Sequence, residues 1–167
     1  MTASNPQPSG SSIDDQITRI TAGLFSPNCG VSALSTWATV DGMGLVIANV
    51  LGENANVRFA VWLATDLPFS RELVEKVSSM NSQTQFGSIT LYVGDDSCTL
   101  LLTYDFMRPW LEEIPLNHLG VAQPLLDIIG NLPKLASAIS DEITAELGGR
   151  RPNPSGDAWD VIPMMMM

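Results

Sequence analysis

Few side chains in this sequence are of kinds that carry chemistry near neutral pH. His118 is the single histidine, and Cys29 and Cys98 are the two cysteines. An imidazole base or a thiol nucleophile needs a positioned partner within hydrogen-bond reach. His118 stands beside Asn117 and just after Pro115, at the start of an expected helix, so a surface or capping role is the reading it supports. Cys98 is in phase with Leu100 and Leu102 in a strand pattern, the position of a small core hydrophobe. Cys29 falls in a Ser-Pro-Asn-Cys-Gly loop with no neighbouring Lys, Arg or His to lower its pKa. Glu112-Glu113 and Asp95-Asp96 are paired acids of a type that binds cations or shuttles protons. Adjacent strand residues point to opposite faces, however, and the aspartates belong to a turn, so both pairs read as solvated acids. Gly42-Met43-Gly44 lacks the Lys-Ser/Thr continuation of a phosphate loop. With no Cys-x-x-Cys and one histidine, a zinc site or a disulfide framework is not indicated. No catalytic residue, cofactor or metal is assigned.

Binding chemistry is better represented. Trp62 is out of phase with Val57, Phe59, Val61 and Leu63 on one strand, so one of the two sets faces away from the helices. Two readings stand: Trp62 lies on an open sheet face as a peptide or subunit contact, or it packs under the N-terminal helix or the tail. Met107 and Trp110 flank Pro109, which ends strand pairing and exposes an adaptable Met/Trp cluster at the sheet margin; plain core filling is the alternative for either residue alone. Trp159, Val161, Ile162 and four terminal methionines form an apolar tail that is either disordered or docked as a pseudo-client; Trp159 is expected to be docked when the tail is ordered.

These residues are positioned by what reads as one domain. The chain has 167 residues, 45% of them hydrophobic, enough to bury a core without staples. The net charge of −10 repels phosphate backbones, which argues against nucleic acid; solubility explains the acidity most simply, and attraction of basic partners is the sharper alternative. No apolar run reaches the roughly 18 residues of a membrane span, and residues 1 to 10 lack a signal-peptide pattern, so a cytoplasmic protein is expected.

Residues 1 to 11, rich in Ser, Pro, Gly and Asn, read as a disordered arm. Ile13, Ile17, Ile20 and Leu24 recur at helical spacing. From Ala33 the period becomes two, giving strands over 33 to 40, 43 to 51 and 57 onward, with Asp41-Gly42 as the first turn. Ser70 is an N-cap for a helix to about Asn81, carrying Leu73, Val77 and Met80. Two more strands, Phe86 to Val93 and Cys98 to Phe106, flank Gly94-Asp95-Asp96-Ser97. Residues 116 to 147 read as helix interrupted at Pro124 and Pro133, with Leu135, Ala138, Ile139, Ile143 and Leu147 as its last apolar stripe and Gly148-Gly149 as its stop. The fold class is therefore α+β: a five-stranded antiparallel sheet with helices mainly on one face, spanning 12 to 149, then a flexible apolar tail over 150 to 167.

Within this order, the stretch 72 to 81 (ELVEKVSSMN), then Phe86-Gly87-Ser88-Ile89-Thr90-Leu91, then Leu100-Leu101-Leu102-Thr103-Tyr104 resembles the YbjN family, which is similar in fold to type III secretion chaperones. The resemblance covers roughly residues 33 to 147. It implies the order α-β-β-β-α-β-β-α, chaperone-like binding of peptide or protein, often as a dimer, and no catalytic residues. The short opening helix with its following loop, and the proline-interrupted last helix with its tail, depart from that pattern and leave dimer geometry open. The leading expectation is a non-catalytic module that holds an extended polypeptide, as a homodimer. A scaffold or regulatory subunit for one folded partner is the alternative, and a small enzyme using Cys29 or His118 comes third.

Overall fold

In the computed structural model, the described residues are 29–31, 35–50, 56–107 and 119–153, with side chains described over 39–47, 56–106 and 126–153. The strands are β1 (Cys29–Val31), β2 (Ser35–Val40), β3 (Met43–Val50), β4 (Asn56–Leu67), β5 (Ser88–Val93) and β6 (Cys98–Met107); the helices are α1 (Arg71–Gln83) and α2 (Leu119–Leu147). All strand pairings are antiparallel, and the six-stranded sheet runs β1-β2-β3-β4-β6-β5. The five expected strands are β2 to β6. Cys29 opens a further short edge strand opposite Ala38, which corrects the loop expected there; the Pro27-Asn28 signal stops just before it.

Local signals explain most boundaries. Asp41 and Gly42 have φ of 50° and 76°, the paired positive values of a two-residue hairpin turn with the strand twist. Ser70 accepts a hydrogen bond from the Leu73 amide at 3.1 Å, satisfying one orphan donor of α1. α1 ends at Thr84, whose amide and hydroxyl both donate to the Met80 carbonyl. The β5–β6 loop closes through Gly94 N to Ser97 O at 2.9 Å.

Both helices join one face of the sheet. Leu73 and Val77 of α1, and Ile128, Ile129, Leu132, Ala136, Ile139 and Ile143 of α2, cluster with the alternating set Met43, Leu45, Ile47, Val57, Phe59, Val61, Leu63, Leu100 and Leu102. α2 is one continuous helix of 29 residues through Pro124 and Pro133, so of the two outcomes expected there, segments or a kink, separate segments are not formed. Each proline removes one backbone donor, but Pro133 is itself buried beside the stripe of α2 that lies on β3 and β4, and that burial offsets the lost bond. The stripe differs from the expected one, because Leu135 is 37% exposed and Ala138 is exposed.

Near its end β4 departs from regular pairing, with register shifts between Trp62 and Ala64 and between Ala64 and Leu67. A bulge disturbs the ladder and re-aims backbone groups. Ser140 on α2 answers this: its buried hydroxyl donates to the Leu63 carbonyl at 2.5 Å. Ser140→Ala strips that carbonyl of its side-chain donor and should cost about 1–3 kcal/mol, read from the shift of a urea unfolding midpoint. A change below 0.5 kcal/mol on that scale would mean the carbonyl does not depend on Ser140.

Past α2, Gly148 and Gly149 adopt φ of 76° and 73°, and the chain returns to the sheet. Arg150 and Thr65 exchange both backbone hydrogen bonds at 3.0 Å, and Arg150 Nε donates to Asp66 at 2.6 Å. Arg151 bonds back to Ser137 and Asp141 on α2, and Pro152 is buried. The flexible tail expected from residue 150 thus begins with an anchored stretch through 153.

Candidate functional site

The described surface opens between the end of α1, the segment leading into β5, and the middle of α2. A cleft of about 380 Å³ is lined there by Met80, Gln83, Thr84, Gln85, Phe86, Leu135, Ile139 and Glu142. Its existence follows from how the chain leaves α1. Gly87 has φ of +81°, and a Cβ on it would lie 2.6 Å from the Thr103 carbonyl oxygen, so only glycine lets this segment press onto β6. That close approach draws Phe86 onto the sheet, where it stacks on Tyr104 with ring centroids 4.5 Å apart and planes 21° apart. Tyr104 in turn meets Phe106 at 6.5 Å. Of this aromatic row Phe86 lines the cleft beside Met80 and Ile139, and Leu135 of α2, 37% exposed, lines it as well.

The rim is polar. Gln83, Gln85 and Glu142 are exposed. Lys76 of α1 reaches α2, donating to Glu142 at 2.6 Å and pairing with Glu146 at 2.7 Å. Hydrogen bonding to Glu142 first, and to Glu146 second, raises the Lys76 pKa above its ordinary value, so this bridge holds across neutral pH. Surface pairs of this kind contribute little to stability; their effect here is to fix the spacing of the helices and to set the charge of the rim.

One side of the cleft adjoins β5, which is an edge strand. Asn81 of α1 clamps that edge: its side-chain oxygen accepts from the Ile89 amide at 2.6 Å, and its side-chain amide donates to the Ile89 carbonyl at 2.8 Å. The carboxamide thereby occupies the two positions an added strand would use at Ile89, a protection that edge strands require. By alternation Leu91 and Val93 present the same groups further along, and Val93 is 62% exposed. Beneath, Arg58 and Asp105 face each other across β4 and β6 in a two-pronged pair at 2.6 and 2.7 Å. The bond to Asp105 raises the Arg58 pKa further.

The expected binding residues are distributed differently. Trp62 does lie away from α1 and α2, as its phase requires: it stands opposite Leu101, and Val46, Ala60, Trp62 and Leu101 are all buried outside the helix-side cluster. It is nevertheless only 3% exposed, which corrects the reading of Trp62 as an open-face contact. β4 is a central strand, and a side chain standing off a sheet is buried to this degree only where the face itself is covered. Its Nε1 is buried without a hydrogen-bond partner. Met107 pairs with Asn56 at the end of β6, with its side chain outside the description. Trp110, Trp159, His118, Glu112 and Glu113 lie outside the described residues. The cleft therefore joins residues the sequence reading left unassigned. The usable signal was Phe86-Gly87 at a strand entrance.

Nothing lining the cleft activates a nucleophile: among the described residues it holds no Ser, Cys, His or Lys, and the Thr84 hydroxyl is engaged with the Met80 carbonyl. Cys98 is a free thiol, fully buried, and burial pushes its pKa up. A thiol is reactive only as thiolate, so Cys98 in the folded chain should resist a maleimide at neutral pH and react at the rate of unfolding. Prompt stoichiometric labelling of Cys98, located by peptide mass mapping, would contradict its placement. Among the described residues there is no group of three or more His, Cys, Asp or Glu able to hold a metal ion, and no helix long and apolar enough to cross a membrane. The chain matches no protein-family model, and a search of curated proteins finds no match. The fold defines an α+β protein with an open, antiparallel sheet.

Proposed function

We propose that the chain is a non-catalytic module that binds another polypeptide, chaperone-like in the manner of the YbjN and secretion-chaperone proteins it resembles. The observation that carries this reading is the α1–α2 cleft, lined by Met80, Phe86, Ile139 and the exposed Leu135, with exposed carboxamides at its rim. Apolar pockets with a few polar groups at the margin suit side chains of an extended segment, whose main chain then meets the rim. The mechanism is burial of apolar side chains of the client, with no bond made or broken. The free thiol of Cys98 fits a reducing, cytoplasmic setting, and the reading includes a homodimer.

The test is retention of a permanently unfolded client, such as a reduced and alkylated secretory protein, against the same client in its folded form. The full chain should retain the unfolded form and release the folded one on size-exclusion chromatography. Equal behaviour toward both, or retention of the folded form alone, would defeat the reading. Light scattering across a range of concentrations reads the dimer directly.

A further inference from the structure

We infer that the α1–α2 cleft selects extended segments in which a large apolar side chain stands two residues from a lysine or arginine, so that both point to the same face; this rests on the binding reading above and adds the chemistry of the occupant. Two independent features meet at the cleft. The first is apolar: Leu135 is 37% exposed on α2, and it lines the cleft together with Ile139 one turn along the same helix and with Met80 and Phe86. An aliphatic or aromatic side chain entering there removes both surfaces from water.

The second is charge. Among the described residues no lysine or arginine lines the cleft, whereas Glu142 does. Lys76 is shared between Glu142 and Glu146, so that group carries one more negative charge than positive. Lys76 engages Oε1 of Glu142, and a carboxylate has room for donors on both oxygens. A cation on the occupant can thus join Glu142 without displacing Lys76. Gln83 and Gln85 supply donors and acceptors for its main chain. The net charge of −10 draws cationic segments in from a distance and disfavours acidic ones.

The experiment titrates the full chain into fluorescein-labelled dodecapeptides of repeating Leu-Ser-Lys-Ser, Leu-Ser-Ser-Ser, Leu-Ser-Glu-Ser and Ser-Ser-Lys-Ser (Leu/Lys, Leu/Ser, Leu/Glu and Ser/Lys), whose recognised side chains share one face, with anisotropy as the readout at low and moderate salt. The expected order of affinity is Leu/Lys, then Leu/Ser, with Leu/Glu about tenfold weaker than Leu/Lys and Ser/Lys weakest. Glu142→Gln should weaken Leu/Lys about threefold and leave Leu/Ser unchanged. Glu146→Gln, which loosens Lys76 similarly but lies outside the lining, should have a smaller effect on Leu/Lys. Leu135→Ser should weaken both leucine peptides, with an unchanged melting temperature confirming the fold. Leu/Lys binding no tighter than Leu/Ser, or binding that ignores both Glu142→Gln and Leu135→Ser, overturns the inference. If no leucine peptide binds while an unfolded client is still retained, this occupant fails and the binding reading survives; if neither is retained, the binding reading itself fails.

Discussion

Phe59→Ala is expected to lower the free energy of unfolding by about 3–5 kcal/mol, the range for removing a large side chain from a close-packed interior. Phe59 is fully buried on β4, the strand that joins β3 to β6 and lies beneath α2. Its ladder neighbours are Ile47 and Tyr104, so the cavity would open between the sheet centre and the aromatic row whose Phe86 lines the cleft. Domains of this size are stable by about 5–15 kcal/mol, and the loss is therefore a large share of the whole. A urea titration should show the midpoint falling while the slope stays constant. A loss below about 1 kcal/mol would place Phe59 outside a packed core.

Gly149→Ala should be the most damaging of the glycine substitutions at the end of α2, and its comparison with Gly148→Ala separates two causes. Both residues have positive φ, 76° and 73°, but a Cβ at Gly148 meets nothing within 4 Å, whereas one at Gly149 would lie 2.7 Å from the Thr65 carbonyl oxygen and 2.8 Å from Leu67. Gly148→Ala carries the conformational penalty alone, about 1–2 kcal/mol. Gly149→Ala adds a backbone clash and forces the Arg150–Thr65 bridge to shift, for a total of about 2–4 kcal/mol on the same reasoning. Unfolding midpoints of the two variants measure the difference. Faster amide exchange at Thr65 and Arg150 in Gly149→Ala alone would report the bridge directly. Equal losses in the two variants would show that the close approach to Thr65 is not maintained.

The cleft and the anchored stretch after α2 share a physical basis. Each depends on a glycine that brings backbone to within van der Waals distance of a strand carbonyl: Gly87 against Thr103 and Gly149 against Thr65. Gly87 pulls Phe86 down to line the cleft, and Gly149 seats Arg150 beside the irregular end of β4. The cleft and fold closure are thus set by close approaches that any side chain would block, a stronger constraint than the apolar pattern alone supplies.

Alternation and turn chemistry were sufficient to determine strands β2 to β6, the Asp41-Gly42 hairpin, the Ser70 cap and the burial of Cys98, because each depends on residues near one another in the chain; the short edge strand β1 carried no such pattern. The phase of Trp62 against Val61 and Leu63 likewise placed it on the face opposite theirs, and left open which face the helices cover. Its exposure was beyond that signal, since burial depends on which strands flank β4 and on what covers them. Tertiary contacts also decided that α2 runs through its two prolines, that Leu135 leaves the core for the cleft, and that Asn81 reaches Ile89. Local rules count hydrogen bonds lost at a proline, but cannot weigh them against apolar area buried on a distant strand. The cleft lies in the same category: Phe86, Leu135 and Glu142 become neighbours only when α1 and α2 are laid on one sheet.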